Sequence, residues 1–111
     1  MISTEQINQL VADEYKRASE RFGETFNSSH EAYASISEEC VKPIDAGRSF
    51  EYALGRYRCS LKLSRPINAN IINAQKLCLT ELQEIAEKAI AEWIQVATMC
   101  HKASLTLQGG E

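Results

Sequence analysis

The chain has 111 residues, a formal net charge of -3, 44% hydrophobic and 24% charged residues, two prolines and five glycines. That length supports one core without metal or disulfide staples, so a single helical domain over residues 1–111 is expected, with little room for disordered linker. No apolar run approaches the roughly 18 residues of a membrane span, no secretory signal is evident, and a weakly acidic chain is no general nucleic-acid binder, which together point to a cytoplasmic protein with no membrane or nucleic-acid partner.

The opening STEQ offers Ser3 as an N-cap with Gln6 in the capping-box position. Ile7, Leu10, Val11, Tyr15, Ala18 and Phe22 then recur at helical spacing, which predicts a helix from about Thr4 to Phe22 stopped by Gly23. Ser28 with Glu31 is a second capping box, opening a helix whose apolar side is Ala32, Ile36, Cys40 and Ile44. Pro43 is expected to kink or end that helix, and Gly47 to close the segment. Ser49 caps a third helix to about Leu63, with Phe50, Ala53, Leu54, Tyr57 and Leu61 on one face.

Ser64-Arg65-Pro66 reads as a break, Pro66 being suited to the first turn of the next helix. From Ile67 to about Leu107 there is neither glycine nor proline, and Ile67, Ile71, Ala74, Cys78, Leu82, Ile85, Ala89, Trp93, Val96 and Cys100 keep a helical period. This stretch is either one helix of roughly 40 residues, about 60 Å long, or two joined near Thr80, where Gln83 completes a capping box. The tail over about 108–111 is expected to fray. Strand alternation and hairpin dipeptides are missing, so the expected fold class is all-α, a bundle of four to five helices.

Residues 48–65 carry Arg48, Arg56, Arg58, Lys62 and Arg65 against Glu51, a net +4 that leaves -7 on the rest. Such a stretch is either a solvated helix face or a surface that meets a phosphate or an acidic partner. Cys40, Cys59, Cys78 and Cys100 lack metal-ligand spacing, apart from the adjacent Cys100-His101, so zinc is not expected; helical thiols of this kind fit a reducing compartment.

The adjacent Glu38 and Glu39 raise the question of a metal site. At 100° per residue Glu39 falls beside the apolar arc of its helix while Glu38 points away; Glu92 falls on the border of the arc through Leu82, Trp93 and Val96, with Gln95 further out. A carboxylate beside a core is costly to desolvate unless paired or bound to a cation. Two helices in a bundle can therefore present Glu39 and Glu92 to one Mg²⁺, a hard oxygen-seeking ion. The competing reading is plain surface charge, with Glu38 and Lys42 an i,i+4 pair worth roughly a few tenths of a kcal/mol.

FNSSHEAYASISEEC, residues 26–40, resembles the second helix of MazG-like all-α nucleotide pyrophosphohydrolases, especially the short phage and mobile-element members, where a Ser-x-His-Glu-Ala run leads into EExxE. AEWIQVATMCHKA, residues 91–103, resembles the paired helix of the same group. The resemblance covers roughly a quarter of the chain. It implies carboxylates around Mg²⁺ that hold a nucleoside triphosphate for cleavage between its α and β phosphates, by metal-assisted attack of water. Carried over residue by residue, Glu39 and Glu92 are ligands and Glu38 a third; in such an enzyme Arg56, Arg58 and Lys62 of the basic stretch are candidates to hold substrate phosphates. The pattern departs from the family at two places: Lys42 stands where EExxE has its last acid, and Gln95 where ExxD has its aspartate. The resemblance with its departures implies a pyrophosphohydrolase homologue whose hydrolysis is weak or lost; the alternative is a non-catalytic helical module for oligomerisation or partner binding. Unpaired apolar positions Leu77, Leu79, Ile90 and Ile94 beside the main stripe of the last helix, and the assembly habit of the family, imply a homodimer or homotetramer.

Overall fold

The computed structural model describes residues 1–62 and 69–108. They form three helices, α1 (Thr4–Phe22), α2 (Ser29–Lys62) and α3 (Ala69–Gln108), and no strand occurs among the described residues. The fold class is all-α as expected. The helix count is lower than the four to five expected, because two of the anticipated breaks do not occur; the break at Ser64-Arg65-Pro66 and the end of the tail, 109–111, lie outside the described residues.

The start of α1 obeys the local chemistry of the sequence. Ser3 N–H donates to Gln6 Oε1 at 2.7 Å and Gln6 N–H donates to Ser3 Oγ at 3.1 Å, so two backbone donors at the helix start are satisfied reciprocally. At the other end Gly23 adopts φ 90°, a left-handed value that suits glycine, and its N–H donates to the Ser19 carbonyl at 3.0 Å. At the start of α2, Glu31 N–H donates to Ser28 Oγ at 3.1 Å, the serine half of the expected capping box, while the Glu31 carboxylate accepts the Asn27 side-chain amide at 3.0 Å.

Pro43 does not end α2, nor does Gly47 close it; the helix continues to Lys62 and includes the segment expected as a separate third helix. Proline lacks the N–H that would bond the carbonyl four residues back, here that of Glu39, and costs about 3 kcal/mol in a helix interior. Pro43 is buried, so the contacts of its ring offset part of that cost. Thr80 does not start a new helix either. Its hydroxyl turns back to donate to the Lys76 carbonyl at 2.9 Å, an accommodation open to threonine inside a continuous helix. The stretch whose division was open is a single helix from Ala69 to Gln108.

The described residues form two compact units, one of residues 1–42 with 91–108 and the other of residues 43–62 with 69–90. In the first, Phe26, Ala32 and Val96 are buried together with the hydroxyl-bearing Thr98 and Thr106. Thr98 Oγ1 donates to the Ile94 carbonyl at 2.8 Å, so its burial leaves no orphaned donor. Thr106 goes further. Its Oγ1 donates to the Lys102 carbonyl at 3.0 Å and accepts the backbone N–H of Phe26 at 2.9 Å, which ties the turn between α1 and α2 to the last turns of α3. In the second unit Ala53 and Leu82 are buried, and Arg56 of α2 forms an ion pair with Glu81 of α3 while its guanidinium lies 5.0 Å from the centre of the Tyr52 ring. Cys40 and Cys78 are half-buried, whereas Cys59 and Cys100 are exposed rather than packed inside.

Replacing Thr106 by valine keeps the shape and removes the acceptor, leaving the buried Phe26 N–H unpaired. The expected loss is about 1–3 kcal/mol of unfolding free energy in urea titration, with Thr106→Ser losing clearly less because the hydroxyl remains.

Candidate functional site

The first unit contains a cavity of about 700 Å³ between the C-terminal half of α1, the first turns of α2 and the 95–102 segment of α3. Its walls are part aromatic, from Tyr15, Phe22 and Phe26, and part charged, from Arg17, Lys42 and Lys102 with Glu31 and Glu39. Helical spacing explains the grouping. Tyr15, Ala18 and Phe22 share one face of α1, as do Ser35, Glu39 and Lys42 on α2 and Gln95, Thr98, Met99 and Lys102 on α3.

Of the carboxylates singled out in the sequence, Glu38 is exposed and Glu39 is half-buried at the cavity, the difference that the helical wheel anticipates. Lys42 pairs with Glu39 and not with Glu38. Its Nζ donates to both oxygens of Glu39 at 3.2 Å, an i,i+3 bidentate contact. Glu39 has less competition from water than Glu38, so the ammonium gains more there.

Glu92 is half-buried, and its Oε2 is buried with no hydrogen-bond partner. A buried carboxylate oxygen without a partner is costly to desolvate. Among the described residues, however, no group of three or more His, Cys, Asp or Glu side chains is gathered so as to hold a metal ion. Arg56 is held by Glu81, while Arg58 and Lys62 are exposed; all three belong to the second unit, and the cavity to the first.

The tertiary structure adds a residue that the motifs of the sequence do not single out. Glu14, on α1, accepts the side-chain amide of Gln95 from α3 and also a two-pronged contact from Arg17. The Arg17 hydrogen bonds hold the Glu14 carboxyl below its ordinary pKa; burial opposes this, and the Gln95 amide and the Arg17 charge add to the lowering. The signal was present in the sequence, since Glu14 stands seven residues after Ile7, inside the stripe that runs through Leu10, Val11 and Ala18. Beside it, Tyr15 packs edge-on against His101 with ring centroids 4.8 Å apart, and its hydroxyl donates to the Glu24 carbonyl at 2.9 Å. Burial, with the Glu24 charge second, raises the Tyr15 pKa.

Comparison of the chain with protein-family models, with characterised proteins and with solved structures finds no match. No helix among the described residues is long and apolar enough to cross a membrane.

Because the folded-state pKa of Glu14 is lowered, its contribution to stability is fully present above its unfolded value, about 4.5, and is lost as the pH falls through the folded value. Urea midpoints measured from pH 7 down to pH 3 should therefore fall more steeply for the parent chain than for Glu14→Gln, with the two curves converging at the acid end.

Proposed function

We propose that the chain is a MazG-like nucleoside triphosphate pyrophosphohydrolase homologue in which hydrolysis is weak or lost. The resemblance of residues 26–40 and 91–103 supports the family reading, and one geometric observation supports the loss: the Lys42 ammonium occupies both oxygens of Glu39. A lysine about 4 Å from a divalent ion repels it by on the order of a few kcal/mol at intermediate dielectric, which is powers of ten in affinity. The residues present do not fit a Mg²⁺ shell as they stand. Glu92 has an unpaired buried oxygen to offer, but Glu39 is neutralised by its own neighbour and Gln95 is turned to Glu14. In this reading Glu38, Glu39 and Glu92 are what remains of the ligand set. Arg56, Arg58 and Lys62 are the phosphate candidates, and Arg56 would have to leave Glu81 to serve.

The alternative, a helical oligomerisation or partner-binding module, is favoured by a separate observation. Leu77 is 72% exposed, Ile90 54%, Trp93 47% and Leu79 47%, all on α3, where Ile94 by contrast is half-buried. Large apolar side chains left this open along one helix suit a second copy of the chain, giving a homodimer or homotetramer.

Two measurements separate these readings. Calorimetric titration with Mg²⁺, with and without nucleotide, should show little binding to the parent chain and a clear gain for the double change Lys42→Glu, Gln95→Asp; brisk hydrolysis of nucleoside triphosphates by the parent chain, abolished in Glu39→Gln, would overturn the proposed loss. Light scattering at high concentration should give the mass of a dimer or tetramer, reduced to that of one chain by Leu77→Glu with Ile90→Glu, and a monomeric parent would count against the module.

A further inference from the structure

We propose that the cavity of the first unit is a binding site for an amphipathic monoanion, a single carboxylate on an aromatic or aliphatic body. The cavity shares Glu39, Lys42 and Gln95 with the nucleotide reading but takes a different ligand, because the charges on its wall select against polyanions. Of its three cations, Arg17 is committed to Glu14 and Lys42 to Glu39. Lys102 is different. It is half-buried, its Nζ lies 4.5 Å from the centre of the Phe26 ring, and it makes no ion pair among the described residues. A half-buried ammonium held over an aromatic face, beside space large enough for a drug-sized molecule, is short of one negative charge.

The rest of the wall limits what can bring that charge. Glu31, fixed by the Asn27 amide at 3.0 Å, and Glu39 both face the cavity, so a triphosphate would bring several charges against two carboxylates while only one cation is uncommitted. Phe22, Phe26 and Met99 offer apolar and polarisable surface for the body of the ligand. The volume, about 700 Å³, lies within the range of roughly 300–1,000 Å³ typical of small-molecule sites. The anchoring also suits a built site, since the backbone of Phe26 and the carbonyl of Lys102 are both held by Thr106, which fixes the ring and the base of the lysine in one frame.

The test uses the full chain with 2-naphthoate as the anionic probe and 2-naphthamide as its uncharged counterpart, monitored by calorimetry. Naphthoate should bind with one site per chain, and naphthamide should bind about tenfold more weakly or worse, the loss of one charge-assisted contact. Lys102→Met, which keeps an unbranched apolar stem over Phe26, should weaken naphthoate by a similar factor, Lys102→Arg should retain it, and Lys88→Met, at an exposed lysine of the second unit, should leave it unchanged. A nucleoside triphosphate at equal concentration should not displace the probe. Absence of naphthoate binding to the folded parent chain, equal binding of the amide, indifference to Lys102→Met, or ready displacement by the triphosphate would each overturn the proposal.

Discussion

The hydroxyl of Thr106 is the point on which the first unit turns. A backbone N–H buried at Phe26 must find an acceptor within the protein, and the one it finds lies 80 residues away at the end of a 40-residue helix. Because Thr106 also donates to Lys102 within its own helix, it satisfies the turn without leaving its own proton unpaired. The ring of Phe26 is buried as a result, the Lys102 ammonium settles over that ring, and the cavity acquires two of its walls. The short link between α1 and α2 is otherwise held by its capping bonds, by the Tyr15 hydroxyl on the Glu24 carbonyl and by Lys102 over the Phe26 ring.

Charge around the cavity is settled mostly in local pairs. Arg17 reaches Glu14 and Lys42 reaches Glu39, each three residues along its own helix, while the Gln95 amide spans from α3 to α1. Ion pairs on exposed helix faces contribute little to stability, at most about 1 kcal/mol. Their consequence here is chemical. They remove two carboxylates from the pool that a hard cation would draw on, and they leave Lys102 as the cavity's cation without a carboxylate. The buried oxygen of Glu92 stands out against this background as an acid that local pairing did not reach.

Long helices with thin cores set the remaining character of the molecule. Among the described residues each unit buries few large apolar side chains, while Leu77, Ile90 and Trp93 on α3 and Tyr33 and Tyr52 on α2 stay open. Such helices gain most of their stability from packing an apolar face rather than from propensity. This surplus of apolar surface is the physical basis of the self-association reading, whichever chemistry the cavity serves.

Local chemistry in the sequence was sufficient for the helical class, the capping at Ser3 and Ser28, the stop at Gly23, and the outward Glu38 beside the inward Glu39, because each depends on residues within a turn or two of one another. Tertiary structure decided the rest. Pro43, Gly47 and Thr80 look like boundaries when local preference is the whole account, yet those preferences are worth about 1–3 kcal/mol and yield where burial or a back-bonded hydroxyl offsets them, as at Pro43 and Thr80. The choice of Glu39 over Glu38 by Lys42 depended on which carboxylate faces the cavity, a property of the packed helices and not of the i,i+4 rule. The meeting of Glu14 with Gln95, and of Phe26 with Thr106, joins positions some eighty residues apart. No periodicity along the chain encodes which two faces meet, because that is determined only when the helices pack and every buried donor has to find its acceptor.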